Sequence, residues 1–302
     1  MGKHRSAFIG AAAVSIAAIL WGLDGIVLTP RLYDLNIGYV VFILHLIPFG
    51  IMNLFMFRQY RELSRFTPGD GVYFLLVALT GGVIGTMAIV KALFLVNFQD
   101  LTIIVLLQKL QPVFAISLSA LLLKEAIRRN FLQWALLAIL AGYFLTFGWR
   151  LPDFSTGSAT VSAALFSLLA AASFGSSTVL SKKILLKFDF RTATFFRYGI
   201  TALIMLIYVA ASGQFSQFSI TTPMNWVIFL IIAFTTGSGA IFLYYFGLTR
   251  VKAIVASICE LFFPFSAILF DYIFNGNTLS PVQWISAAVM VFAIFNLNRT
   301  SA

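Results

Sequence analysis

The 302-residue sequence has few charged side chains, little negative charge and almost no cysteine or histidine. Charged residues make up 10% of the chain, hydrophobic residues make up 61%, and the mean hydropathy is +0.98. Soluble globular domains carry about 25% charged residues, so this composition excludes that class and indicates an integral membrane protein. The apolar stretches run to about 20 residues without strict alternation, which favours spanning helices over a β-barrel.

The scarcity of reactive side chains also excludes several kinds of chemistry. Cys259 is the single cysteine, so an internal disulfide is excluded, and it fits no metal-binding spacing. The sequence contains no His-Glu-x-x-His, no Gly-x-Ser-x-Gly and no phosphate-binding loop. We therefore predict no catalytic residues, no metal and no cofactor, and we expect that the protein is not an enzyme. Nor is a cleavable signal peptide expected, since the first apolar run is too long for one.

The apolar stretches predict ten transmembrane helices, joined by loops too short to hold a soluble domain. The predicted spans are residues 7–27, 39–57, 71–95, 101–123, 131–148, 159–180, 193–211, 226–248, 253–274 and 281–297. A short polar linker at residues 150–158 separates the first five from the last five. We predict two five-helix repeats, covering residues 1–151 and 152–302.

Positive charge is concentrated in alternate loops, and this pattern predicts the orientation. If the N terminus is cytoplasmic, most of the 20 lysines and arginines lie on the cytoplasmic side, with Arg31 and Arg150 outside. Both termini are then cytoplasmic, in a multi-pass protein of the bacterial cytoplasmic (inner) membrane. The net charge of +10 is accordingly a topology and anionic-lipid signal, and we expect no nucleic-acid partner.

One polar pattern occurs in the fourth span of each predicted repeat. Gln108 lies four residues before Pro112, and Glu260 lies four residues before Pro264, with 152 residues between the two copies. Gln111 shares a helix face with Gln108. Because each repeat has an odd number of spans, the second must run inverted relative to the first, as in many transporters with a site near mid-membrane.

Two repeats of five helices with this pattern resemble the EamA family of the drug/metabolite transporter superfamily. Further points of similarity are Trp21-Gly22, Phe174-Gly175, Lys124-Glu125 and Arg197. The chain departs from the family pattern at Leu44, the counterpart of Arg197, and at Gly276-Asn277, which lacks the acid. The resemblance implies a ten-helix carrier, commonly one that exports amino acids or related metabolites, with a central cavity between the halves.

Polar side chains inside spanning helices are costly unless they face a partner or water, so they are candidates for a substrate cavity. The predicted cavity residues are Trp21, His45, Gln108, Lys109, Gln111, Tyr244, Tyr245 and Glu260. Each has a structural alternative, such as hydrogen bonding between helices or anchoring at the membrane interface. Pro112 and Pro264 are predicted to loosen their helices at mid-depth, which frees the carbonyls of Gln108 and Glu260.

Three further embedded charges, Asp24, Lys91 and Arg197, are predicted to form ion pairs or to act in gating. We expect Asp24 to pair with Lys91 near the outer face, and Glu260 to pair with Arg197 near the inner face. Lys109 is then left without a partner, which suggests that it faces the cavity and attracts a carboxylate-bearing substrate.

The sequence therefore predicts a secondary transporter that exports a small metabolite, an amino acid or related compound, by alternating access. The alternative is an uptake carrier for a small organic cation such as a quaternary amine, which would use Glu260 and aromatic rings. A channel or an intramembrane enzyme is a remote alternative. The expected partners are a small-molecule substrate and the lipid bilayer, in a monomer or homodimer, and the sequence leaves proton coupling and facilitated exchange open as alternatives.

Overall fold

The computed structural model describes residues 2–96, 107, 108, 110–149, 158–276 and 278–301. These residues form helices, turns and short connections, and none of them lies in a β-strand. The ten helical spans are α1 (His4–Leu32), α2 (Ile37–Arg65), α3 (Pro68–Leu95), α4 (Gln111–Leu122), α5 (Arg129–Phe147), α6 (Ser158–Leu185), α7 (Phe190–Ala211), α8 (Pro223–Leu248), α9 (Ala253–Phe274) and α10 (Pro281–Ser301).

Seven of these spans are long and apolar enough to cross a membrane, and the three shorter ones, α4, α5 and α10, are also apolar. This arrangement confirms the prediction of an all-helical membrane protein with about ten spans. Residues 101–106 of the predicted fourth span lie outside the described residues, as does Lys109. The cytoplasmic location of both termini stays a prediction.

The helices of the first half pack against those of the second half in a reciprocal pattern. Helix α1 packs against α8 and α9, and α6 packs against α3 and α4; α2 packs against α7, and α5 against α10. If each helix is replaced by its counterpart in the other half, so that α1 becomes α6 and α8 becomes α3, the contact between α1 and α8 becomes the contact between α6 and α3. The other contacts correspond in the same way. The two halves are therefore structurally equivalent in their packing. The boundary at residue 151 stays a prediction, because it lies outside the described residues.

The equivalence extends to the capping boxes at the start of α3 and α8. Thr67 accepts a hydrogen bond from the Asp70 N–H (3.4 Å), while the Asp70 carboxylate accepts one from the Thr67 N–H (2.7 Å). Thr222 and Asn225 make the same reciprocal pair, at 3.2 and 2.8 Å. Both boxes satisfy backbone donors that a helix start leaves free. The Thr-Pro-x-Asp/Asn pattern was a further signal of the repeat in the sequence.

Three of the spans contain a π-helical segment, which widens the helix and shifts the direction of the following side chains. The segments are Asp24–Leu28 in α1, Ala78–Ile84 in α3 and Ala233–Gly237 in α8. Those in α3 and α8 lie at equivalent positions of the two halves. Such segments are rare and occur frequently at functional sites.

Two equivalent glycines bring the first helix of each half against the fourth helix of the other. A Cβ atom at Gly22 would lie 2.0 Å from Ser266 Oγ on α9, and one at Gly175 would lie 2.7 Å from the Gln111 carbonyl oxygen on α4. Both distances are too short for any side chain. The aromatic-glycine pairs of the sequence therefore set how closely α1 approaches α9 and α6 approaches α4.

The fourth helix of each half changes geometry just before its proline. Helix α9 is interrupted at Glu260 and Leu261, between the α-helical segments Ala253–Cys259 and Phe262–Asn275. The Glu260 carbonyl, which Pro264 cannot engage, accepts a hydrogen bond from the Phe263 N–H (2.9 Å). The prediction that this carbonyl is free for the cavity was therefore wrong, since a tighter turn satisfies it locally. In α4, the regular helix likewise begins at Gln111, directly before Pro112.

Candidate substrate cavity

The two proline-containing turns of α4 and α9 face each other across a small internal cavity. Its volume is about 30 Å³, close to that of a single water molecule. The lining residues are Gln108, Gln111, Pro112, Ser257, Glu260, Leu261, Phe263 and Pro264. The paired motifs that define the repeats in the sequence thus meet at one place between the halves.

Glu260 is the centre of the hydrogen-bonding network at this cavity. Its Oε1 atom accepts hydrogen bonds from the Tyr244 hydroxyl (2.7 Å) and the Thr178 hydroxyl (3.1 Å), and its Oε2 atom accepts one from the Gln111 amide. The Thr178 and Tyr244 hydroxyls are also 2.8 Å apart. One carboxylate therefore connects α4 of the first half to α6, α8 and α9 of the second.

Of the predicted cavity residues, Gln108, Gln111 and Glu260 line the cavity, and two aromatic residues lie next to it. The Gln108 amide donates to the Ser167 carbonyl of α6 (3.1 Å). The Trp21 ring packs on the Tyr244 ring, with a centroid distance of 5.3 Å. Because Tyr244 donates to Glu260, it connects α1 to the cavity.

Arg197 does not form the expected ion pair with Glu260. Its Nη1 atom donates to the Tyr245 hydroxyl (3.0 Å) and its Nη2 atom to the Gly81 carbonyl (2.9 Å) in the π-helical segment of α3. The Tyr245 hydroxyl also bonds with Ser181 (2.7 Å). Tyr245 is thus directed towards α6 and α7 and is absent from the cavity lining. The Gly81 carbonyl, in the π-helical segment of α3, therefore accepts the hydrogen bond from Arg197 that was expected to go to the Glu260 carboxylate.

The expected pair between Asp24 and Lys91 is also wrong. Asp24 accepts hydrogen bonds from the Thr29 hydroxyl (3.2 Å) and the Thr236 hydroxyl (3.1 Å), and Lys91 is exposed at the end of α3. Asp24 lies at the start of a π-helical segment, and Thr236 lies in the π-helical segment of α8. Two hydroxyls therefore take the place of the expected ammonium group, one from the 3-10 turn that follows the π-helical segment of α1 and one from the π-helical segment of α8.

His45 lies apart from the cavity, between α2 and α7. Its Nδ1 atom lies 2.8 Å from the Val41 carbonyl, one turn earlier in α2, and its ring packs against Tyr198 with a centroid distance of 5.1 Å. This environment matches the structural alternative of a hydrogen bond within the helix bundle. Lys109, the other predicted cavity residue, lies outside the described residues.

Four residues at or next to the cavity were not among the sequence predictions: Thr178, Ser257, Leu261 and Phe263. Ser257 and Phe263 each lie three positions from Glu260, so they share its helix face and could have been found by that spacing. Thr178 lies three positions after Gly175, on the face of α6 that meets α4. A threonine on a helix face does not by itself indicate a binding site, so the sequence alone could not identify Thr178 as a cavity residue.

Glu125, from the pair Lys124-Glu125, has a structural role at one end of this region. Its carboxylate accepts hydrogen bonds from the backbone N–H groups of Ala253 (3.0 Å) and Ile254 (3.1 Å) and from the Ser119 hydroxyl (2.7 Å). A carboxylate here satisfies free donors at the N terminus of α9 and complements the helix dipole. It therefore connects the end of α4 to the start of α9.

Ten apolar helices in two equivalent sets, with a polar cavity between their fourth helices, define the class of membrane transporters built from internal repeats. The chain belongs to the EamA-like transporter family, whose model matches residues 8–148 and 161–299. The two matches confirm the resemblance recognised from the paired motifs.

Curated relatives and solved structures are similar to the chain. The riboflavin transporter ImpX of Fusobacterium nucleatum subsp. nucleatum is 52% identical over 291 residues, which cover 96% of this chain and 97% of the relative. The uncharacterized transporter YwfM of Bacillus subtilis is 30% identical over 183 residues, or 61% of this chain and 59% of the relative. A crystal structure matches with a TM-score of 0.67 at 16% identity, covering 97% of this chain and 99% of that chain, and supports the fold alone.

These relationships establish the general function. The chain is a multi-pass integral membrane protein of the bacterial inner-membrane type, and it is a small-molecule transporter and not an enzyme.

Proposed function

We propose that this protein transports riboflavin by alternating access, through the cavity between α4 and α9. The observation that carries the proposal is the 52% identity, over nearly the full length of both chains, to a riboflavin transporter. Riboflavin is an uncharged molecule with a planar ring system and a polyhydroxylated side chain. Its transport requires flat apolar surfaces and hydrogen-bonding groups near mid-membrane.

The residues at the cavity have the chemistry that such a molecule needs. The rings of Phe263, Trp21 and Tyr244 offer surfaces on which a planar heterocycle can stack. The amides of Gln108 and Gln111 offer donors and acceptors that match the alternating carbonyl and N–H groups on one edge of the flavin ring. Ser257, Thr178 and Glu260 would engage the hydroxyls of the side chain.

The cavity must enlarge before it can hold this substrate. Sites for ligands of this size measure about 300–1,000 Å³, whereas the present cavity measures about 30 Å³. The proposal therefore requires this region to open during transport. Opening requires α4 and α9 to separate, and the hydrogen bond between Gln111 and Glu260 must then break.

The two substrate hypotheses from the sequence are retained as competitors in the same experiment. Amino-acid export was implied by the family resemblance, and the attraction of its carboxylate relied on an unpaired Lys109, which lies outside the described residues. Uptake of a quaternary amine relied on Glu260 beside aromatic rings, and Tyr244 with Trp21 does provide such rings.

A direct test is the titration of purified protein with riboflavin, whose fluorescence is quenched when its ring stacks on aromatic side chains. We expect saturable quenching that excess amino acid or quaternary amine leaves unchanged. Gln111→Ala removes a hydrogen-bonding group from the cavity and should weaken binding about tenfold or more. Gln133→Ala, at an exposed position on α5, is the matched control and should bind like the wild type.

Two results would contradict the proposal. One is an absence of saturable riboflavin binding in protein shown by its thermal transition to be folded. The other is displacement of riboflavin by an amino acid or a quaternary amine at lower concentration than by riboflavin itself, which would favour that class of substrate.

A further inference from the structure

A second site of interest lies around Asp24, outside the cavity lining. The Asp24 carboxylate is embedded in α1 and accepts hydrogen bonds from two hydroxyls, those of Thr29 and Thr236. Among the described residues, no lysine, arginine or histidine nitrogen lies within 4 Å of it. An ionised carboxylate without a cation is costly inside a membrane, so this group requires a proton or another small cation.

The partners of Asp24 suit a group that changes its protonation state. A hydroxyl can both donate and accept a hydrogen bond, whereas the nitrogen of an amide only donates. Asp24 can therefore keep both contacts when it is protonated, because one hydroxyl reverses its role and accepts from the acid. Glu260 differs in having an amide among its partners: two hydroxyls donate to its Oε1 atom, but its Oε2 atom accepts from the Gln111 amide nitrogen, which has no acceptor capacity.

The position of Asp24 connects it to the elements that must move during transport. Thr236 belongs to the second half, so the Asp24–Thr236 hydrogen bond joins the two halves through two π-helical segments. One turn earlier in α1, Trp21 packs on Tyr244, which donates to Glu260. A change in charge at Asp24 therefore occurs one helical turn from the cavity network.

The titratable and charged groups on the surrounding elements leave Asp24 without a charged partner. They are Arg31 on the following 3-10 turn, Tyr244 and Tyr245 on α8, Glu260, Asp271 and Tyr272 on α9, and His45, Arg197 and Tyr198 on α2 and α7. None of these side chains forms a hydrogen bond or an ion pair with Asp24 in the described structure. Its charge is thus free to be balanced by a mobile ion.

From this geometry we infer that Asp24 takes up and releases a proton in each transport cycle, and so couples substrate movement to a proton gradient. Protonation neutralises the carboxylate while its two hydroxyl contacts are retained, and deprotonation restores a buried charge at the junction of the halves. The two protonation states would therefore favour different arrangements of α1 and α8.

The first experiment needs no substrate. Infrared spectra of the purified protein, recorded as a function of pH, report carboxylic-acid carbonyl bands at the frequencies typical of an apolar environment. We expect a titrating band in the wild type that is lost in Asp24→Asn but retained in Glu260→Gln. It is also retained in the matched control Asp34→Asn, which alters an exposed aspartate near the same end of α1. Persistence of the band in Asp24→Asn, or its loss in Glu260→Gln, would overturn the inference.

The second experiment rests on the proposed riboflavin function. In proteoliposomes, an imposed gradient of one pH unit should drive about tenfold accumulation in the wild type and in Asp34→Asn, for one proton per substrate. Asp24→Asn should show exchange of labelled for unlabelled riboflavin but no accumulation above equilibrium. Accumulation by Asp24→Asn, or accumulation in the wild type that follows a sodium gradient alone, would contradict proton coupling at this residue. If riboflavin itself is not transported, the infrared experiment still decides the role of Asp24.

Discussion

The two halves of the molecule contain equivalent buried regions that carry opposite charges. In one region, Asp24 on α1 faces Thr236 on α8. In the other, Ser177 on α6 occupies the position equivalent to Asp24, and the backbone of Gly81 on α3 replaces Thr236. The charge here is that of Arg197 on α7, whose counterpart in the first half is Leu44.

This comparison shows that the halves share their helix packing but differ in a few embedded side chains. In the described structure, no cationic side chain lies within 4 Å of the Asp24 carboxylate, and no carboxylate lies within 4 Å of the Arg197 guanidinium. Each is satisfied by hydroxyls or by π-helical backbone. The Arg197 region is less completely satisfied, because Ser177 Oγ, Thr201 Oγ1 and Arg197 Nε are buried without a hydrogen-bond partner. The differences between the halves, and any directionality of transport, therefore reside in these side chains.

The largest contrast is expected between the two motif residues that precede the prolines. Glu260→Ala would leave three donors without their acceptor, at a cost of about 1–3 kcal/mol for each buried group, and should abolish measurable transport. Gln108→Ala removes one hydrogen bond to the Ser167 carbonyl and should lower the free energy of unfolding by only about 1 kcal/mol. Thermal unfolding and transport assays on both variants test this contrast. Equal losses in the two variants would mean that the halves contribute alike.

The next contrast concerns Arg197 and its counterpart Leu44. Arg197→Leu gives the second half the residue of the first and leaves the Tyr245 hydroxyl and the Gly81 carbonyl without this donor. We expect a loss of about 2 kcal/mol in the free energy of unfolding. The matched control is Arg191→Leu, an exposed arginine six residues earlier in α7, which should change stability by no more than about 0.5 kcal/mol. A destabilisation of similar size in both variants would show that the buried contacts of Arg197 carry no particular weight.

A smaller effect is expected at Glu125, the acid that only the first half possesses. Glu125→Gln removes the negative charge from the N terminus of α9 and should cost about 1 kcal/mol in stability. Glu62→Gln, which alters an acid paired with Arg65 in the 3-10 segment at the end of α2, provides the comparison. Its effect should be smaller, because surface ion pairs contribute little. Denaturant titrations of both variants measure the difference, and an unchanged Glu125→Gln would refute the capping role.

The smallest effect is expected where the halves match, at the capping boxes of α3 and α8. Thr67→Val and Thr222→Val each remove one capping hydroxyl, so each should cost about 0.5–1 kcal/mol, and the two costs should be alike. Thermal unfolding of the two single variants measures this directly. A marked inequality would show that the equivalence of the halves is limited to backbone geometry.

Much of the architecture could be predicted from the sequence. The ten apolar stretches predicted the helices, and the matched spacing of Gln108–Pro112 and Glu260–Pro264 predicted the two faces that meet at the cavity. These predictions rely on helical spacing and on length, which the sequence records directly.

The partners of the embedded charges could not be predicted in the same way. The ion-pair hypotheses for Asp24 and Arg197 assumed regular helices and considered only side chains of opposite charge. The π-helical segments change the helical period, so side chains beyond them point in directions that a 3.6-residue spacing does not give. They also present carbonyls and hydroxyls, as at Gly81 and Thr236, which have no charge and hence no visible signal in a sequence.

The central claim is that riboflavin crosses the membrane through a cavity that must open between α4 and α9. The most direct measurement is counterflow in proteoliposomes loaded with unlabelled riboflavin, with labelled riboflavin added outside. We expect transient accumulation of label in vesicles containing the wild type, with little accumulation in Glu260→Gln and normal accumulation in Glu62→Gln. Entry of label at the rate of protein-free vesicles, or accumulation in Glu260→Gln equal to that of the wild type, would contradict it.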